Sequence, residues 1–175
     1  MHPKQIAGAV LALLLAACSR SYAPQLASAS GSSTAVYAAV VRDALGQVPD
    51  VLLVVDTTAV FEPGPVLGDT LPEGVIALAK ELQKLSAHPR PSRELPLPSR
   101  VTLLPRGEAL ALADSGLGGT KVLEVTPIAF SPGGSEALVY YELHCGALCG
   151  TGVVVWLMRR EGKWSVAERF VRWAA

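Results

Sequence analysis

Apolar positions first recur at helical spacing at Tyr37, Val40, Val41, Ala44 and Leu45, which predicts a helix over 34–45. Ser33 or Thr34 can cap its start and Gly46 can end it. The unbroken run Val51 to Val55 reads as a strand buried on both faces. In "DTLPEGVIALAKELQKLSAHP", Val75, Leu78, Ala79, Leu82 and Leu85 share one helical face, Thr70 and Glu73 stand at capping-box spacing, and Pro89 is a stop. The prolines of "HPRPSRELPLPSR" predict an extended loop over the domain surface, with a short strand from Val101 to Leu104 after it.

The last third changes period. "KVLEVTPIAF", "EALVYYELH", "TGVVVWLMRR" and "KWSVAERFVRWA" are strand-like runs separated by "SPGGS", "CGALCG" and "EG", each a plausible hairpin connection. In the second run Ala137, Val139, Tyr141 and Leu143 alternate with Glu136, Tyr140, Glu142 and His144, so one face is expected to be buried and the other wet, with Leu138 as the exception on the wet side. Val153 through Met158 are all apolar, which predicts a central strand covered on both sides. Pro127 cannot donate to a ladder, so the first of these strands is expected at an edge or bulged there.

The expected fold class is therefore α+β: two N-terminal helices packed on a mainly antiparallel β-meander, with the Val51 strand joining at an unassigned place. A helix-plus-meander plan resembles cystatin-like or nuclear-transport-factor-like cones, and the closing "REGKWSVAERFV" is similar to the last hairpin of the second group. The final 55 or so residues also resemble uncharacterised small exported bacterial proteins that share a glycine-flanked cysteine pair between two strands. Neither likeness implies an activity.

Ahead of the domain, the apolar run from Ile6 to Ala17 is broken only by Gly8 and preceded by Lys4. Spanning a bilayer takes roughly 20 apolar residues, so this run fits the core of a secretory signal peptide instead. Leu15-Ala16-Ala17-Cys18 resembles the lipobox of bacterial lipoproteins. That resemblance implies removal of residues 1–17 as a leader and lipidation, including palmitate, of Cys18. The remaining organisation would be a flexible Ser/Ala/Gly-rich tether over 18–33 and a single domain over 34–175. Lipid on Cys18 would hold the chain to a membrane with no spanning segment. Ser19, in place of aspartate, favours the periplasmic side of an outer membrane if the cell is Gram-negative. An ordinary secreted protein cut after Ala17 and a retained signal anchor are the alternatives.

Without residues 1–17 the chain keeps 158 residues, enough for one real core. Lys4 is the leader's only charge, so 14 basic side chains face 15 acidic ones, and near neutrality argues against a nucleic-acid partner.

Chemistry gathers at "HCGALCG". With Cys18 assigned to lipid, Cys145 and Cys149 remain as a pair in an oxidising compartment, at the neck of a hairpin, and a disulfide is the first expectation. Thiolates beside His144 would also suit copper or zinc. The Cys-x3-Cys spacing near a histidine resembles the copper-handling motif of some periplasmic assembly factors, which need a second distant histidine, and His88 is the only other one in the mature chain. Redox use would place Cys-x-x-Cys at a helix start, whereas here the spacing is longer and a strand follows. His144 by itself reads as a solvent-side strand residue.

Other candidates carry less. "DSGLGGTK" is superficially similar to phosphate-binding loops, but a strand follows it and its order does not match G-x-x-x-x-G-K-[ST]. Asp56 ends a hydrophobic strand, where a local turn is the commoner role. Glu136 and Glu142 are expected to be solvated on the polar strand face. Trp156, Trp164, Trp173, Tyr140 and Tyr141 could offer an aromatic binding surface or serve as packing. The functional expectation is a lipid-anchored cell-envelope protein with a non-catalytic binding or structural role toward an envelope protein or small ligand, and no cofactor. The alternative is a periplasmic metal-handling or redox protein using His144, Cys145 and Cys149.

Overall fold

The run Val51–Val55 forms β1, and its place in the sheet organises the first half of the domain. In the computed structural model, which describes residues 24–64, 71–115 and 119–175, β1 lies between β2 (Arg100–Leu104) and β3 (Val122–Val125) and is parallel to both. Parallel neighbours need a crossover. Helix α2 (Glu73–Ser86) lies between β1 and β2, and helix α3 (Arg106–Asp114) between β2 and β3. From β3 onward the sheet is antiparallel: β5 (Glu136–Gly146), β6 (Cys149–Arg160) and β7 (Lys163–Ala174) form a meander, and the short β4 (Ala129–Phe130) pairs only with β5. The seven-stranded order is β2-β1-β3-β5-β6-β7, with β4 off that path.

Strand alternation sends side chains to two covered faces. Helix α1 (Pro24–Leu45) covers one through Val36, Tyr37, Val40 and Val41, which pack on Leu52, Val54, Leu123, Val125, Val139 and Tyr141. On the other face α2 sets Val75, Leu78, Ala79 and Leu82 over Leu138, Tyr140, Val154 and Phe170. Beside it α3 sets Ala109 and Ala113 over Val55 and Val122. Fully burying a Val or Leu side chain contributes about 1.5–3 kcal/mol, so these two interfaces hold the layers together. The fold is thus α+β with three helices among the described residues and a mixed, mostly antiparallel sheet.

Several expectations change. Helix α1 begins at Pro24, ten residues before the expected Thr34, and takes in much of the stretch read as a tether. Proline is tolerated in a first helical turn, and a helix docked by its second half extends cheaply through an Ala-containing segment. Residues 1–23, with the leader and Cys18, lie outside the described residues. Pro72 holds the N-cap position of α2 with no side-chain capping bond, and the expected cap Thr70 also lies outside them. Leu85, expected on the buried face of α2, is exposed.

The apolar pattern does not mark helix α3, because its seam is alanine: Ala109 and Ala113 stand four apart but carry little hydrophobic contrast. Pro127 splits the first strand-like run into β3 and β4. There Thr126 stands in for the missing ladder, with its backbone N–H donating to the Tyr140 carbonyl at 2.9 Å and its Oγ1 accepting from Tyr140 N–H at 3.0 Å. Strand β3 itself is internal, between β1 and β5. The face of β5 expected to be wet is covered too: Leu138 and Tyr140 are buried beneath α2.

Candidate functional site

The antiparallel register of β3 and β5 sets Glu124 directly opposite Glu142 and Val122 opposite His144. Alternation then places Glu124, Glu142 and His144 on the face covered by α3. Like charges directly opposed across strands are destabilising, and a cation meets them. Arg106, the first residue of α3, donates from Nε to Glu124 Oε2 at 3.3 Å and brings Nη2 to 3.8 Å from Glu142 Oε2. The carboxylates are well covered, with side-chain exposures of 8% for Glu124 and 19% for Glu142, whereas Arg106 keeps 55%.

His144 completes the cluster. Its Nε2 is buried, has no hydrogen-bond partner, and lies 3.5 Å from Glu142 Oε2 and 3.7 Å from Glu124 Oε2. The side chain is 13% exposed, so the solvent-side reading of His144 is corrected, as is the solvated reading of Glu142. One ligand atom from each of Glu124, Glu142 and His144 lies within 4.8 Å of the others.

A wall of aromatic groups borders the cluster. Gly152 and Gly150 face Glu142 and His144 across β5 and β6, and the space their missing side chains leave is taken by the Trp173 indole from β7. Trp173 Nε1 donates to the Tyr140 hydroxyl at 3.1 Å, and that hydroxyl donates to Glu142 Oε1 at 2.7 Å. Burial, with the Glu142 hydrogen bond and charge behind it, pushes the Tyr140 phenol well above its ordinary range, so it stays a donor. The Trp173 ring is centred 6.2 Å from that of His144. Beside this wall opens a cavity of about 280 Å³ lined by Phe61, Glu62, Tyr140, Glu142, Arg172 and Trp173.

The other sequence candidates are dispersed. Cys145 and Cys149 are bonded to each other, with Cα atoms 5.0 Å apart, at the β5–β6 neck where the ladder slips between His144 and Gly146. A disulfide has no thiolate to give a metal. His88 is exposed after α2 and is not among the groups that converge with His144. Asp56 sits in a loop tie, its carbonyl accepting from Ser92 N–H at 2.8 Å. Glu136 lies at the opposite end of β5, beside Met158. Of "DSGLGGTK", residues 116–118 lie outside the described residues, and Lys121 leads into β3 with no helix between.

The aromatic residues do not form one surface. Tyr141 and Trp164 are on the α1 face, where Trp164 Nε1 donates to Ser32 Oγ at 3.1 Å, and Tyr140 and Trp156 are on the other. Glu124 and Arg106 are not among the candidates that the sequence pattern marks. A signal for the first exists: Glu124 is the one charge inside "VLEV", where every flanking residue is apolar and buried.

Comparison with protein-family models, with curated proteins and with solved structures finds no match for this chain. Among the described residues, no helix is long and apolar enough to cross a membrane.

Proposed function

We propose that the chain is a lipid-anchored cell-envelope protein whose single α+β domain works by binding, without catalysis. The observation that carries the anchor is Leu15-Ala16-Ala17-Cys18 at the end of a short apolar leader. Several acyl chains on Cys18, each contributing about 0.8 kcal/mol per buried CH₂, hold such a domain at a membrane surface. With Ser19 after it, the periplasmic side of the outer membrane is the destination this reading favours in a Gram-negative cell.

The binding role is supported by the groups that meet at the α3 end of the sheet. They are two carboxylates, an imidazole, a guanidinium and a phenol that keeps its proton, a set suited to holding a cation or a polar ligand. The neighbouring cavity between Phe61 and Trp173 is edged mainly by polar groups, with Glu62, Glu142, Arg172 and Tyr140 beside the two aromatic rings. Helix α1 laid against β5 and β7 of the meander supports the likeness to cystatin-like or nuclear-transport-factor-like domains, and that likeness carries no activity.

Labelled palmitate fed to cells producing the full chain tests the anchor. Incorporation into the wild type and its loss in Cys18→Ser is the expected result. Label that persists in the variant would overturn the lipid assignment.

A further inference from the structure

We propose that Glu124, Glu142 and His144 form a site for one divalent transition-metal ion of the zinc class. The site rests on residues of the folded domain alone, so it stands or falls independently of the lipid on Cys18.

The Nε2 atom of His144 is buried and has no hydrogen-bond partner. An N–H donor to a carboxylate settles at about 2.7–3.2 Å, and the two nearest acceptors stand beyond that, at 3.5 Å and 3.7 Å. As a lone-pair nitrogen, the same buried atom would point at two anionic oxygens, which repel it unless a cation lies between. Neither tautomer of the neutral imidazole is satisfied by these neighbours, and an imidazolium would still stand 3.5 Å and 3.7 Å from its two acceptors, whereas a metal ion satisfies all three atoms at once.

The spacing fits such an ion. Bonds of about 2.0–2.2 Å from zinc to imidazole nitrogen and carboxylate oxygen, set at tetrahedral angles, separate neighbouring ligand atoms by about 3.3–3.6 Å. The two nitrogen–oxygen separations are within a few tenths of an ångström of that range. A tripod of one imidazole and two carboxylates leaves a fourth position for water or a small ligand. The donor set favours a borderline ion with nitrogen and oxygen preference over a soft, thiolate-seeking one.

Charge and support agree with the geometry. The two carboxylates balance one divalent ion, so Arg106, more than half exposed, can withdraw into water when the ion enters. Arg106 approaches the same two Oε2 atoms and so acts as a competing cation. Outer partners of a metal ligand orient it, and here the Tyr140 hydroxyl fixes Glu142 through Oε1, leaving Oε2 turned toward His144. The Cys145–Cys149 bond pins the backbone beside His144, a positioning role and not a ligand one.

The test is titration calorimetry of Zn²⁺ into the full-length protein, purified in detergent and stripped of metal by a chelator. One ion per chain is expected. Removing an outer partner typically weakens a site by about 10–100-fold, so the ligand variants Glu124→Gln, Glu142→Gln and His144→Ala should each weaken it by at least about 100-fold. Arg106→Gln should tighten it, and His88→Ala should leave it unchanged. Urea unfolding of each metal-free variant shows that loss of binding is not loss of fold.

A second readout uses Co²⁺, whose binding should quench the Trp173 contribution to fluorescence and lose that quenching in Trp173→Phe. No stoichiometric Zn²⁺ binding by the wild type, or binding that survives all three ligand substitutions, would overturn the site.

Discussion

The indole of Trp173 occupies the space above Gly152, the residue it pairs with across β6 and β7. A methyl group at Gly152 would stand 2.6 Å from Trp173 Cδ1 and equally close to the Tyr140 hydroxyl, too near for either to remain in place. Gly152→Ala should therefore displace Trp173 and break its hydrogen bond to Tyr140. Overpacking of this kind costs about 1–3 kcal/mol. The urea midpoint should fall with an unchanged slope, and tryptophan emission should shift relative to wild type. A variant with wild-type midpoint and emission would show that the groove can absorb the methyl group.

Ser86 ties the end of α2 to the loop that follows β1. Its Oγ accepts from Phe61 N–H at 3.1 Å and donates to the Leu82 carbonyl at 2.8 Å, and the residue is fully buried. Ser86→Ala leaves the Phe61 amide without that acceptor, at a cost of about 1–3 kcal/mol. The change should also raise hydrogen-exchange rates at Phe61 and its neighbours more than in β6. Unchanged exchange at Phe61 would show that another group or water takes the place of Ser86.

Much of this fold is legible in the order of apolar residues. Val51–Val55 reads as a strand, although Val51 at its start is exposed rather than buried, the period of Val75, Leu78, Ala79 and Leu82 reads as a helix, and the turn residues between β5, β6 and β7 read as hairpins. Partner choice is not written in periodicity, so nothing local sets β1 between β2 and β3. An alanine seam such as that of α3 contrasts too weakly with its surroundings to stand out. At the site, His144 draws attention through its sequence neighbours Cys145 and Cys149. Its chemical neighbours are Glu124, supplied by the β3–β5 register, and Arg106, supplied by a helix start. Both depend on long-range pairing, which a single sequence does not display.

The disulfide closes a very short ring. Loop-closure entropy assigns such a ring about 2 kcal/mol, because little freedom is removed from the unfolded chain. Cys145→Ser together with Cys149→Ser, or reduction of the wild type, should lower stability by roughly that amount without unfolding the domain. The expected local effect is larger motion at the β5–β6 tip, where Leu148 is already 88% exposed, seen as faster amide exchange confined to residues near 145–150. Global loss of structure on reduction would mean that the bond holds far more than the hairpin neck.

Stability at high pH should report on the buried phenols, Tyr140 beside the cluster and two on the α1 face. Tyr37 donates to the Thr126 carbonyl at 3.0 Å, and burial drives its pKa far upward against the charge of Arg90. Tyr141 donates to Asp43 Oδ2 at 3.3 Å, and burial, then the Asp43 charge and hydrogen bond, raise its pKa in the same direction against Arg169. An unfolded tyrosine loses its proton near about pH 10. Between that value and the higher folded pKa, the unfolded state binds fewer protons than the folded one, so stability falls as pH rises. The contribution of each phenol is complete below about pH 10 and disappears once pH passes the folded value. Urea midpoints measured from neutral pH upward should hold steady and then drop above about pH 10, and Tyr37→Phe or Tyr141→Phe should flatten that drop. Tyrosinate absorbance should likewise develop at higher pH in the folded protein than in denaturant. Ionisation of both residues at the ordinary midpoint, while the protein remains folded, would show that these two hydroxyls are not sealed from water.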